Sequence, residues 1–233
     1  EVGTELVWQY AQEYGLPRMI VVSKLDRENT DFSAVVGQIN ESFGGRAVPL
    51  YVPIGKEAGF KGVVDVIRGV AITTSPDGKS AEGPVPSELA GQVAEVKEKL
   101  KEAACDGDDA LMEKYLEEGD LSDAEMQRGL RLASIAGKVF LIVPCAAAKL
   151  IGVREVLDSI VGYLPSPKDV PAERGTVPGQ EAEVERPADE SAPFSALVWK
   201  TMADPYVGKL TLFRVYSGKF ISNSTCLNST YGK

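Results

Sequence analysis

Pro17-Arg18-Met19-Ile20-Val21-Val22-Ser23-Lys24-Leu25-Asp26 is the stretch whose reading decides the fold. Met19 to Val22 is a β-rich apolar run without polar alternation, which predicts a strand covered on both faces, as in parallel α/β sheets. Ligands of such sheets sit outside the carboxyl ends of the strands, so Ser23 to Asp26 fall where a binding loop belongs. The residue types there suit guanine. An ionised Asp26 offers two acceptor oxygens and no donor, matching the ring N–H and exocyclic amine of guanine taken together. Adenine lacks that pair of donors. A buried carboxylate left unpaired by the wrong base is costly, and such sites discriminate by about 10⁴-fold or more. Lys24 can lay its aliphatic stem along a base while its ammonium reaches polar oxygens. On its own, Ser-Lys-x-Asp suits an ordinary solvated turn better than a binding loop.

Working outward, Glu5 to Tyr14 carries Leu6, Val7, Tyr10 and Ala11 at helical spacing, with Gly15 before Pro17 as a stop. Asp31 caps a second helix with Phe32, Val35, Val36, Ile39 and Phe43 on its apolar face, ended by Gly44-Gly45. Val48 to Val52 reads as one strand. Beyond Ile54 the pattern changes to strand material from Val63 to Thr74, interrupted by Gly69 and followed by the turn signal Ser75-Pro76-Asp77-Gly78. Three helices follow: one with Leu89, Val93, Val96 and Leu100 in register, one begun by Asp108, and one opened by the capping box Ser122-Asp123-Ala124-Glu125. Val139 to Val143 resumes the first sheet. A helix after Gly152 places Val153, Val156, Leu157, Ile160 and Leu164 inward, and Pro165-Ser166-Pro167 ends it. Residues 165–192 are rich in Pro, Glu and Gly and read as a linker or exposed excursion. Ala196 to Met202 and Lys209 to Tyr216 read as strands.

The order of these segments resembles elongation factor G, the ribosomal translocation GTPase. The resemblance is carried by Leu16-Pro17-Arg18, Ser23-Lys24-Leu25-Asp26-Arg27, Pro53-Ile54-Gly55, Phe60-Lys61-Gly62-Val63-Val64-Asp65, Tyr163-Leu164-Pro165-Ser166-Pro167, Asp204-Pro205-Tyr206-Val207-Gly208-Lys209-Leu210 and Phe213-Arg214-Val215-Tyr216-Ser217-Gly218, running through nearly the whole chain. It implies an α/β fold: the distal half of a P-loop GTPase parallel sheet (1–53 and 138–165), an inserted α+β subdomain (54–137), a linker (166–192) and the first strands of a β-barrel domain (193–233). Two or three barrel strands cannot close, so the last region is expected to be poorly ordered or paired to another chain. The insertion's length favours this family over the ribosomal-protection and release-factor relatives.

The resemblance also implies a site. Ser23-Lys24-Leu25-Asp26 stands at the family's fourth guanine motif, normally Asn-Lys-x-Asp, and Cys145-Ala146-Ala147 at the fifth, normally Gly-Ser-Ala. Asp26 would read the base, Lys24 stack on it, Ser23 brace the loop, and Ala147 offer its backbone N–H to the guanine carbonyl oxygen. The ligand is GTP or GDP, with magnesium in the intact factor held by groups outside this chain. Ser23 loses the amide's reach, and Ala146 makes no side-chain hydrogen bond, each at a cost of about 0.5–1.5 kcal/mol. The resemblance thereby implies a divergent member of that family, a paralogue of the main factor with altered nucleotide affinity. It contains no Gly-x-x-x-x-Gly-Lys-Ser/Thr loop and no Asp-x-x-Gly element, so alone it is not expected to hydrolyse GTP.

Composition sets the remaining bounds. With 25 Lys and Arg against 34 Asp and Glu, the net charge of −9 argues against a sequence-specific nucleic-acid binder. Asp106, Asp108, Asp109, Glu113, Glu117, Glu118, Asp120, Asp123 and Glu125 crowd one helical region. They read as a solvated acidic face rather than a metal site, and by resemblance as a docking face for the ribosomal stalk protein. With 3 cysteines (Cys105, Cys145, Cys226) far apart and no histidine, zinc ligation is not expected and a reduced, cytoplasmic setting fits. Cys145 reads as a small packed residue in place of glycine. No apolar run is long enough to cross a bilayer. The first residue already lies inside a helical pattern, which suggests a missing amino-terminal portion. A reading from another class is a non-catalytic acidic protein-binding module whose guanine pocket is degenerate.

Overall fold

Helix α1 (Val2–Glu13) opens the computed structural model, which describes residues 2–75, 78–177, 179 and 182–232. The chain divides into two compact units, residues 1–164 and 165–233. Gly15, at φ +61, stops α1, and the Leu16 N–H donates to the Ala11 carbonyl at 2.8 Å. The helix does not bury the stripe its periodicity suggested: Leu6, Val7 and Tyr10 are exposed. Trp8 takes the inward position instead, because it is the largest apolar surface available to the core. Its ring stacks on Phe43 with centroids 4.1 Å apart and meets Phe140 edge-on at 4.5 Å, and the Arg18 guanidinium lies 4.5 Å from its centroid.

Strand β1 (Met19–Val22) leads to α2 (Phe32–Phe43). The Asp31 carboxylate accepts the Ala34 N–H at 3.0 Å to cap α2, and Gly44 closes it in the left-handed conformation. The apolar run expected as one strand is two, β2 (Ala47–Pro49) and β3 (Tyr51–Ile54), broken at Leu50. Leu50 bends the chain from one sheet to another: its N–H donates to the Ile142 carbonyl at 2.9 Å and its own carbonyl accepts the Val66 N–H at 3.2 Å. From β3 the chain continues through β4 (Gly62–Asp65), β5 (Val70–Thr74) and β6 (Ser80–Gly83), an antiparallel meander in sequential order. Pro76 and Asp77, the centre of the expected turn between β5 and β6, lie outside the described residues.

Helices α3 (Ala90–Cys105), α4 (Asp109–Glu118) and α5 (Asp123–Ile135) follow. They bury Val93, Val96, Leu100, Leu111, Met126, Leu130 and Ala133. Asp108 and Ser122 cap α4 and α5 as expected, the second through a complete capping box. The acidic region between them is laced by cations. Lys101 lies 2.9 Å from Asp120, Lys114 lies 2.8 Å from Glu125, and Arg128 lies 2.8 Å from Asp108. The face expected to be a solvated acidic one is thus partly charge-paired.

Strand β7 (Phe140–Pro144) is buried along its whole length and sits between β1 and β2, parallel to both. Here the expectation for β1 needs correction. The strand with both faces covered is β7; among the described residues β1 is at the sheet edge, hydrogen-bonded to β7 alone, and Val21 is 43% exposed. Helix α6 (Val153–Tyr163) is also turned from the predicted face. Glu155 and Ser159 are buried and Val156 is packed, whereas Leu157 and Ile160 are exposed. The small Ser159, whose hydroxyl donates to the Glu155 carbonyl at 2.6 Å, lets α6 approach Tyr51. Burial pushes the Tyr51 hydroxyl up to about 12, against a hydrogen bond with Ser159.

In the second unit, the segment read as a linker carries a hairpin of β8 (Glu173–Thr176) and β9 (Glu183–Arg186). Strands β10 (Ser195–Asp204) and β11 (Gly208–Ser217) pair antiparallel with each other. Among the described residues no helix is long and apolar enough to cross a membrane.

The α5 cap gives a pH prediction. Lys114 first, then the Ser122 hydroxyl and N–H, hold the Glu125 carboxyl at about 2 against an ordinary 4.5. A depressed carboxylate contributes stability that is present above its unfolded value and lost as pH falls through its folded one. Urea midpoints measured across pH 4.5 to 2 are therefore expected to fall more steeply in the parent than in Glu125→Gln. Equal slopes would contradict the assignment.

Candidate functional site

Parallel pairing of β1 with β7 places Val22 beside Pro144, so the loops that follow both strands leave the sheet together. The backbone continues to stitch them beyond the strand ends. The Cys145 N–H donates to the Val22 carbonyl at 2.9 Å, and the Leu25 N–H donates back to the Cys145 carbonyl at 3.4 Å. Leu25 is buried beneath the first loop, and Cys145 and Ala146 beneath the second. Burial of Cys145 agrees with its reading as a packed small residue.

Ser23 and Lys24 are exposed at the mouth. Lys24 has φ +65, a left-handed conformation that costs a non-glycine residue about 1–2 kcal/mol. Strain of this kind persists where the surrounding structure over-determines it, commonly at ligand sites. The Asp26 side chain is only 9% exposed, and its Oδ2 lies 3.6 Å from the Lys149 ammonium. Lys149 was not anticipated from sequence. It lies in the same loop as the predicted Ala147, and the single 3-10 turn Ala147–Lys149 brings it back over the first loop.

Ala146 is fully buried and both of its backbone groups are engaged: its N–H donates to the Ile151 carbonyl at 2.9 Å, and its carbonyl accepts the Lys149 N–H at 3.0 Å and the Ile151 N–H at 3.3 Å. That bridge fixes the loop without a side-chain hydroxyl at this position. Ala147 is exposed and begins the turn, so its N–H has no intrahelical acceptor and is free to meet a ligand oxygen. Thr30 ties the first loop to itself, its hydroxyl meeting the Leu25 carbonyl at 3.2 Å and the Arg27 carbonyl at 2.9 Å.

The loops that carry Lys24, Asp26 and Ala147 thus leave the same end of the β1–β7 pair, with the Asp26 carboxylate largely buried and Lys24 and Ala147 exposed. A separate cavity of about 280 Å³ lies to the side, lined by Leu25, Thr30, Asp31, Pro53, Lys56 and Leu89 rather than by the predicted residues.

A parallel sheet that presents its loops at the carboxyl ends of adjacent strands is the architecture of an α/β nucleotide-binding domain. The profile of the elongation factor Tu GTP binding domain matches residues 1–166, and the chain belongs to that family. A crystal structure of a protein from Thermus thermophilus is similar over 94% of the chain, at 28% identity and a TM-score of 0.76; the chain spans 30% of that protein's length. The resemblance to a translation factor with a GTP-binding domain and the expected α/β fold class agree with that family.

Gly152 sets the exit of the second loop. It has φ +74, and an added Cβ would meet the Pro144 carbonyl oxygen at 2.6 Å. Gly152→Ala is expected to destabilise the chain by about 1–3 kcal/mol and to shift the amide resonances of Ala146 and Ala147. An unchanged denaturation midpoint would contradict this.

Proposed function

We propose that loops 23–26 and 145–149 are the base-reading part of a guanine-nucleotide site, and that the chain serves a translation factor of the elongation factor G type. Asp26 accepts the ring N–H and exocyclic amine of guanine. Lys24 lays its stem on the base, Ser23 braces the loop, Ala146 holds the second loop in place, and the Ala147 N–H donates to the guanine carbonyl oxygen. The observation that supports the reading is the stitching of the two loops across β1 and β7, at whose shared end both the Asp26 loop and the Ala147 loop begin.

Family membership supports GTP and GDP as ligands. The residues described here face the base; the phosphates and their magnesium would be held by groups outside them. Phosphoryl transfer depends almost entirely on positioning and charge neutralisation around the phosphates. The chain by itself therefore binds without turning over GTP. In the intact factor, binding and hydrolysis would drive movement of tRNA and mRNA on the ribosome in the cytoplasm. The charge-paired acidic face on α3 to α5 would meet the stalk protein.

Titration of the chain with GDP and with ADP, followed by amide NMR, tests the base reading. GDP is expected to move the resonances of Lys24, Asp26 and Ala147, ADP to leave them in place, and Asp26→Ala to abolish the GDP response. Equal responses to both nucleotides would overturn the proposal.

A further inference from the structure

The loop that carries Lys24 and Asp26 is held from outside as well as from within. After Asp26 the chain turns at Asn29, which has φ +60, and its N–H is aimed away from its own loop. That N–H donates at 2.8 Å to Oε1 of Glu57, a residue 28 positions further on. Beside this bond, the Lys56 ammonium lies 3.7 Å from the Asp31 carboxylate that caps α2. The ion pair is well exposed and contributes little by itself. The Glu57 bond is exposed too, but it differs in kind, because a charged acceptor meets a backbone donor that the turn leaves without a local partner.

Glu57 stands on a rigid support. It begins the single 3-10 turn Glu57–Gly59, and its own backbone is left-handed at φ +49. Gly55, at φ +82, lets that turn close so tightly that a Cβ there would lie 2.1 Å from the Gly59 carbonyl oxygen. Phe60, only 3% exposed, pins the turn to the core, and the Lys61 N–H donates to the Ile54 carbonyl at 3.0 Å. The turn is thereby part of the β3–β4 hairpin. On the other side of the bond, Asn29 is followed by Thr30, whose hydroxyl reaches the Leu25 carbonyl next to Asp26. A short run of hydrogen bonds thus leads from the antiparallel sheet to the acceptor that faces the base.

We infer that Glu57 is a positioning residue for the base-reading loop, through which the β3–β4 hairpin sets the affinity for guanine. The inference rests on the proposed base reading. Glu57 touches no ligand; it fixes the turn at Asn29 and, through Thr30 and Leu25, the direction of Asp26.

The test uses the whole chain with Glu57→Ala and Glu57→Gln, and reads amide hydrogen exchange at Asn29 together with GDP and ADP titrations by NMR. Loss of one such bond is expected to speed exchange at Asn29 and weaken GDP binding about threefold to tenfold. Glu57→Gln retains an amide oxygen acceptor and is expected to restore most of both. If the parent binds GDP and Glu57→Ala binds it equally well, the coupling is overturned while the base reading stands. It is likewise overturned if Asn29 exchange is unchanged in Glu57→Ala, or if Glu57→Gln behaves like Glu57→Ala in binding. If the parent shows no preference for GDP over ADP, the base reading fails and the coupling falls with it, whatever happens at Asn29.

Discussion

Strand β7 is hydrogen-bonded on both edges and buried from Phe140 to Pro144, and the geometry of the first unit is referred to it. Full burial of each of its large apolar side chains is worth about 1.5–3 kcal/mol, so the strand is the least movable part of the sheet. Its amino-terminal side takes Phe140 against Trp8, which docks α1. Its middle receives the Leu50 N–H, which fixes where the chain leaves the parallel sheet for the antiparallel one. Its carboxyl end hands Cys145 to Val22 and takes Leu25 in return. The two loops proposed to read the base are tied to this strand at their roots.

How much of this was legible in the sequence depended on how local the deciding interaction is. Asp31, Asp108 and Ser122 were readable as caps because each bonds a backbone group within three residues. The loop after β1 was readable because an apolar run followed by Ser-Lys-Leu-Asp places polar chemistry at a strand end. Lys149 and Glu57 were not, since each acts on a residue distant in sequence and nothing in their own neighbourhoods marks them. Helical period alone also misled. The α1 and α6 sequences each allow more than one inward face, and the choice was made by a long-range fit: Trp8 against Phe43 and Phe140, and Ser159 against the Tyr51 region. Apolar composition likewise could not separate a central strand from an edge strand, so β1 read like β7.

The departures from the family's guanine motifs acquire a physical reading. Ala146 supplies no hydroxyl, yet its backbone is fully engaged by Ile151, so the loop keeps its shape and Ala147 keeps its free N–H. Ser23 is exposed and braces less than an amide would. In compensation the first loop is tied by Thr30 from within and by Glu57 from the antiparallel sheet. What the substitutions remove is side-chain bracing, whereas the groups proposed to face the base, a carboxylate and a backbone donor, both persist.

The central claim is that Asp26 reads guanine through two acceptors. Its most direct test is exchange of specificity in Asp26→Asn. Asparagine presents one acceptor and one donor, a pattern that matches the ring N–H and the neighbouring carbonyl of xanthine instead of the two donors of guanine. NMR titrations with guanosine and xanthosine diphosphates should show the parent preferring the guanine nucleotide and Asp26→Asn preferring the xanthine nucleotide. An Asp26→Asn chain that keeps the parent's preference for guanine would contradict the account.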